Sequence, residues 1–113
     1  MKENLIVDMT YKFALDIMSF SKALREMKEF ELASQLWRAG TSIGANVEEA
    51  QAAQSRADFR SKMSIAAKEA RETHYWLRLA RDSRVSPESE AQTMIDKIAS
   101  IRKILTSIVK SSS

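Results

Sequence analysis

The chain has 113 residues, a formal net charge of +3 and a sequence pI near 9.3. It has no cysteine and one histidine, His74, so disulfides and thiolate metal sites are excluded, and we expect neither a metal nor a cofactor. No apolar run approaches the roughly 20 residues of a membrane span, and the N-terminus lacks the uncharged core of a secretory signal. We therefore expect a cytoplasmic protein without membrane association.

Regular apolar stripes at steps of three and four residues predict the first two helices. The first helix is predicted over about 4–28, and its stripe is Ile6, Met9, Phe13, Ile17, Phe20, Leu24 and Met27. The second is predicted over about 31–54, with the stripe Leu32, Leu36, Ala39, Ile43, Val47 and Ala50. Because each stripe covers one helical face, each helix should bury one side.

Capping signals and two further stripes predict the remaining helices. Ser55, followed three residues later by Asp58, is typical of an N-cap, and a helix is predicted over about 56–83. Its stripe is Phe59, Met63, Ala66, Ala70, Leu77 and Ala80. Ser86 as a cap and Pro87 as the first helical residue predict the start of a fourth helix over about 87–110. Its stripe is Ala91, Met94, Ile98, Ile101, Leu105 and Ile108.

Four amphipathic helices with short connections indicate an all-α fold. We predict one domain, residues 1–113, folded as an antiparallel up-and-down four-helix bundle. With two glycines and one proline, the chain offers little turn chemistry for β-hairpins.

Both glycines, Gly40 and Gly44, lie in the interior of the second predicted helix, within the stretch RAGTSIGANVEEAQ at 38–51. Each destabilises a helix interior by about 1 kcal/mol relative to alanine. Small residues four positions apart let a neighbouring backbone approach closely, so the favoured interpretation is close helix packing. The alternative is a helix backbone that faces a ligand.

The same stretch, followed by SRADFRSKMSIAAKEARETHYWLRLA, resembles a family of four-helix-bundle proteins first met as products of intervening sequences in bacterial large-subunit ribosomal RNA genes. The resemblance covers about residues 5–110 and is most specific over 36–80. It implies an antiparallel bundle that assembles into a homopentamer, with no enzymatic activity. Related members are accessory subunits of retroelements and contact reverse transcriptase and nucleic acid. One difference is that Glu48, Glu49 and Ala50 stand where many members have Ala-Glu-Gly.

Positive charge is concentrated in the third predicted helix, where residues 55–84 carry four more basic than acidic side chains. On a helical wheel the arginines of this helix and His74 fall on one side. We call them the α3 row: Arg56, Arg60, Arg71, His74, Arg78 and Arg81. Arginines in a row can follow phosphates, so the row is our candidate nucleic-acid-binding site. The alternative is an ordinary solvated face whose arginine stems cover apolar edges or pair across subunits.

Several apolar residues lie away from the main stripes and predict an oligomer interface. In the first helix they share a face nearly opposite Phe13, and in the third they include Ile65 and Leu79. Helices that are apolar on two sides are usually buried on two sides. The predicted interface set is Tyr11, Leu15, Met18, Trp37 and Trp76. For Trp37 alone, packing over Gly40 within the subunit is equally compatible.

An acidic pair, Glu69 and Glu72, lies near His74 and could in principle perform acid–base chemistry. No second histidine, cysteine nucleophile or Ser–His–acid set supports such a site. Carboxylates on a basic helix pair more often with arginine, and the candidate partners of Glu72 are Arg38 and Arg71. We expect no catalytic residue and no enzymatic activity.

Two functions remain open. The first is a nucleic-acid-associated protein, with RNA favoured over DNA, whose ring presents the α3 row. The second is a protein-interaction scaffold or accessory subunit that does not itself bind nucleic acid. Its partners would be further copies of the chain and another protein.

Overall fold

A computed structural model describes residues 2–112 and contains four α-helices. They are α1 (Lys2–Glu26), α2 (Phe30–Gln51), α3 (Arg56–Asp82) and α4 (Glu88–Ser111). Residues 2–112 include no β-strand, which confirms the predicted all-α class. Every helix begins and ends within three residues of its predicted position.

The helices pack as a four-membered bundle measuring 44 × 19 × 18 Å. Helix α1 packs beside α2 and α4, and α3 packs beside the same two helices, whereas within residues 2–112 the backbones of the diagonal pairs lie farther apart. Neighbours run antiparallel: early in α3, Arg60 reaches Val109 late in α4, and late in α3, Arg81 reaches Gln92 early in α4.

The predicted stripes meet along the bundle axis and form one core. Its largest fully buried side chains include Phe13 and Ile17 of α1, with Leu36, Ile43, Met63, Leu77, Ile98 and Leu105 of the other helices. Burial of each such side chain stabilises the fold by roughly 1.5–3 kcal/mol. Four stripe residues at the margins are only partly buried: Met9, Phe20, Leu32 and Phe59.

Met27 is an exception to the first stripe, because 47% of it is exposed. Helix α1 ends at Glu26, and Lys28 adopts a left-handed conformation with φ of 65°. The amide of Glu29 donates to the carbonyl of Leu24, and the amide of Lys28 donates to the carbonyl of Arg25. These two bonds form a Schellman motif, which turns the chain before Met27 can reach the core.

The two predicted N-caps have different outcomes. The Ser55 hydroxyl accepts a hydrogen bond from the Asp58 amide at 3.0 Å, so the predicted cap of α3 is confirmed. At α4 the prediction was wrong, because Pro87 is itself the N-cap residue and the helix begins at Glu88. The Ser86 hydroxyl is buried and makes no hydrogen bond within the described residues. Pro87 has non-helical ψ, and its carbonyl accepts the first helical hydrogen bond, from the Ala91 amide at 3.2 Å, so the boundary lies one residue after Ser86.

Both glycines of α2 lie against α1 and are fully enclosed. A Cβ atom placed on Gly40 would lie 2.6 Å from Cγ1 of Ile17 and 3.0 Å from its Cβ. On Gly44 it would lie 3.2 Å from the carbonyl oxygen of Thr10. Real Cβ atoms do not approach as closely as 2.6 Å, so the seam between α1 and α2 has room for glycine and little more.

Candidate nucleic-acid interface

The α3 row lies along the side of α3 that adjoins α4. The core stripe of α3 faces the bundle axis, and one flank of the helix faces α2. The other flank, which carries the α3 row, faces α4 and solvent. Arg56, Arg71 and Arg78 are exposed, whereas His74 and Arg81 are half-buried between the helices. The members of the row are therefore close together in space, but they differ in how far their charged groups are exposed to solvent.

Two arginines of the row are engaged by neighbouring groups. Arg60 donates through Nε to the carbonyl oxygen of Val109 at 3.3 Å, near the C-terminal end of α4. Arg81 donates to both carboxylate oxygens of Asp82 and to the side-chain oxygen of Gln92. The hydrogen bond from Arg81 holds the pKa of Asp82 below its ordinary value. Arg81 is thus the member whose charge is most nearly neutralised.

His74 lies at the boundary between α3 and α4, 2.6 Å from a guanidinium nitrogen of Arg102 through Nδ1. Since a guanidinium only donates, Nδ1 accepts, and the proton of the neutral ring is on Nε2. Burial lowers the pKa of His74, and the charges of Arg102, Arg78 and Arg81 lower it further. His74 is therefore neutral near pH 7 and holds Arg102 in place rather than adding a charge.

Helix α4 supplies a second set of cations beside the α3 row. Three adjoining shallow depressions share Thr106 as a lining residue. Their basic lining residues, which we call the basic face, are Lys68, Arg71, Arg102, Lys103 and Lys110. Within the described part of the chain, no aspartate or glutamate lines these depressions.

Sequence reasoning missed the contribution of α4, although a signal was present. The segment from Lys97 to the C-terminus contains four basic side chains and no acidic one. Averaged over residues 85–113, this excess is masked by Glu88, Glu90 and Asp96 near the start of α4. A shorter window, or the expectation that α4 lies beside α3, would have revealed it.

The acidic pair of α3 faces α2 and is bound by arginine. Arg38 of α2 forms ion pairs with both Glu69 and Glu72, which confirms Arg38 as one of the two predicted partners of Glu72. The indole nitrogen of Trp76 also donates to Glu72, at 3.3 Å. Their carboxylates therefore join α2 to α3 and lie on the opposite flank from the basic face.

The predicted interface residues lie on two flanks of the bundle. Tyr11 and Leu15 of α1 are more than half exposed, and Trp37 of α2 is 36% exposed. Met18 and Trp76 are partly buried. Trp37 lines a shallow depression with Arg25, Ser34 and Arg38 at the α1–α2 side. Trp76 lies on the α2–α3 side, where it donates to Glu72, the ion-pair partner of Arg38.

No helix in the described part of the chain combines the length and apolar character that a bilayer span needs.

Comparisons with known proteins identify a family and a close structural relative. The family described as 23S rRNA-intervening sequence protein matches residues 2–107. A crystal structure of a protein of unknown function, from the S23 ribosomal protein family of Bacteroides thetaiotaomicron, superimposes with a TM-score of 0.94 at 44% identity. The match covers 97% of this chain and 99% of that one. No curated protein matches the chain.

Proposed function

Since the chain belongs to the 23S rRNA-intervening sequence protein family, we propose that it is a non-enzymatic, nucleic-acid-associated protein that binds RNA on its basic face. The observation that carries this proposal is the set of basic side chains, contributed by two helices, around depressions that no described acidic residue lines. Lysine and arginine in such a cluster neutralise phosphates and release counterions, which supplies most of the affinity of sequence-independent binding.

The depressions favour contact with an extended polyanion over a small ligand. They are open and shallow. One lies between α3 and α4, and the other two lie along the surface of α4, from Arg102 toward its C-terminal turn at Lys110. A small molecule gains most of its affinity from a concave pocket that encloses it. A nucleic-acid backbone gains it from repeated charge contacts along its length, and the basic face offers such contacts.

The test is fluorescence anisotropy with a labelled, unstructured RNA at several salt concentrations. We expect affinity to fall steeply with salt, with a slope of log K against log salt of about −0.7 for each neutralised phosphate of a single strand. The double variant Arg71→Glu, Lys103→Glu should weaken binding at least tenfold.

The matched control is Lys12→Glu, Lys22→Glu, which changes the net charge equally on the exposed face of α1. If both double variants weaken binding to the same extent, binding follows net charge alone and the basic face is not the site. If the unmodified protein does not bind RNA at low salt, the proposed function is wrong.

We further propose that the chain assembles as a homopentamer. The support is the family resemblance, together with the exposed Tyr11 and Leu15 of α1, which are too apolar to favour contact with water. A ring of five copies would gather the basic faces and strengthen binding to one nucleic acid by avidity. Light scattering after size exclusion should give five times the chain mass of 12.8 kDa. A monomer would contradict this proposal and leave RNA binding to be judged separately.

A second candidate function is a scaffold that binds another protein. It is favoured by Trp37 and Tyr11, since exposed tryptophan and tyrosine are typical anchors of protein interfaces. This function requires negligible RNA affinity at physiological salt, and a partner that co-purifies with the wild-type chain but not with Trp37→Ala. The RNA titration above therefore discriminates between the two functions.

A further inference from the structure

An exposed tyrosine lies between basic side chains on the outer surface of α3. Lys68, Arg71, Tyr75 and Arg78 follow one another at steps of three, four and three residues, and all four are exposed. At 1.5 Å per residue, Arg71 and Arg78 are separated by about 10 Å along the helix axis, with Tyr75 near the midpoint. An aromatic ring is thus placed within a cationic stripe beside the basic face.

Tyr75 does not contribute to the core, since 48% of it is exposed. Its ring meets the Trp76 ring edge-on, with centroids 5.2 Å apart and an interplanar angle of 67°. The guanidinium carbon of Arg78 lies 5.8 Å from the Tyr75 centroid, within the range of a cation–π contact. These contacts restrain the ring while leaving much of its surface open to solvent.

The nearest carboxylate on this part of α3 does not oppose a polyanion. Glu72 is ion-paired with Arg38 and accepts a hydrogen bond from Trp76, so its charge is directed to the α2 side and compensated there. The open part of the Tyr75 ring is flanked along the helix by Arg71 and Arg78 instead. This charge pattern complements phosphates and would repel a basic protein partner.

We propose that Tyr75 is a stacking platform for an unpaired base, with Arg71 and Arg78 holding the phosphates on either side, so that the face selects single-stranded over double-stranded RNA. The inference rests on the proposed RNA binding and specifies its ligand. Bases in a duplex hide their faces in the stack, whereas unpaired bases can stack on an aromatic side chain or a guanidinium. Stacking on an aromatic side chain does not depend on the base identity, so we expect little sequence preference.

The experiment compares three labelled probes that carry equal numbers of phosphates per strand. They are a 15-nucleotide oligo(U), the same strand annealed to oligo(A), and an abasic 15-mer that has phosphates but no bases. Each is titrated into the full chain at one fixed salt concentration. The variants are Tyr75→Ala and Tyr75→Phe, and the matched control is Phe30→Ala, an aromatic that is 54% exposed at the start of α2.

We expect oligo(U) to bind more tightly than the duplex and the abasic strand. Tyr75→Ala should weaken oligo(U) binding roughly tenfold and leave abasic binding unchanged, because only the stacking contribution is removed. Tyr75→Phe keeps the ring and should bind within about twofold of the wild type. Phe30→Ala should not change any affinity. Circular dichroism checks that each variant is folded.

Equal affinity for the three probes, unaltered by Tyr75→Ala, would overturn the stacking inference while leaving RNA binding intact. Loss of assembly in Tyr75→Ala, with oligo(U) affinity per chain preserved, would assign Tyr75 to a protein contact and would also overturn it. Failure of all three probes to bind the wild-type chain would overturn the proposed function itself. The two failures are therefore distinguishable.

Discussion

The seam between α1 and α2 and the groove between α3 and α4 differ in the size and charge of the residues at the helix contact. At the first, Ile17 lies directly over Gly40 and the backbone of Thr10 lies over Gly44, so the two helices approach as closely as glycine allows. At the second, the depression between the two helices is lined by the long basic side chains of Lys68, Arg71 and Lys110. Glycine brings the first pair of helices close together, whereas basic side chains line the solvent-facing edge of the second.

This difference indicates where stability and binding reside in the molecule. Buried, close-packed contacts contribute most to the free energy of unfolding, whereas exposed charges contribute little to it. Substitutions at the α1–α2 seam should therefore change stability and leave the affinity of folded protein for RNA intact. Substitutions on the basic face should do the reverse.

The largest expected effect comes from Phe13→Ala, which removes the biggest fully buried side chain of α1. We expect the free energy of unfolding to fall by about 3–5 kcal/mol, because the lost burial is joined by a cavity. Urea denaturation followed by circular dichroism measures the change. A loss below about 1 kcal/mol would show that the α1 stripe is not part of the core.

An intermediate effect is expected from Gly40→Ala. Helix propensity alone would make this change stabilising by about 1 kcal/mol. The new Cβ would lie 2.6 Å from Cγ1 of Ile17, a stiff β-branched residue, so α1 must move away from α2. We expect a net destabilisation of about 1–2 kcal/mol, since overpacking outweighs propensity.

Two controls sharpen this comparison. Gly44→Ala should be less damaging, because its nearest neighbour would be at 3.2 Å. Ala45→Gly, at an exposed position of α2, should destabilise by about 1 kcal/mol through propensity alone. A higher melting temperature for Gly40→Ala than for the wild type would contradict close packing at this seam.

The smallest effect on stability concerns His74, in the α3–α4 groove. Its pKa is lowered in the folded state by burial and by Arg102, so the unfolded chain takes up this proton first as pH falls. The titration of His74 therefore does not affect stability above about pH 6.5, and it lowers stability as pH falls from there toward the lowered pKa. Between pH 7.5 and 5.5, the melting temperature of wild type should drop slightly more than that of His74→Gln. An equal drop in both would show that His74 is not the group responsible.

The helices could be predicted from the sequence because each carries a single apolar stripe and few competing signals. The end of α1 could not be placed exactly, because its Schellman motif uses Lys28 where glycine is usual, and Met27 continues the apolar pattern past the turn. The Ser86 cap was mispredicted since a serine before a proline is compatible with either residue being the N-cap.

The candidate site was predicted only in part, because it belongs to two helices that are distant in the sequence. The α3 row follows from helical spacing, which is a local property. Its pairing with Arg102 and Lys103 depends on how α4 packs, and averaging over the whole C-terminal segment concealed their charge. Nor could local spacing indicate that His74 would accept a hydrogen bond from Arg102, 28 positions away.

The contact between α1 and α4 is the least extensive of the four, and its Lys97–Asp16 ion pair joins residues 81 positions apart. The other three helix pairs are consecutive hairpins that need only short loops to close. Loop-closure entropy rises with the length of chain enclosed, and contacts between distant residues slow folding. We therefore expect the hairpins to form early and the α1–α4 contact to form last, so that this seam limits the rate at which the bundle closes.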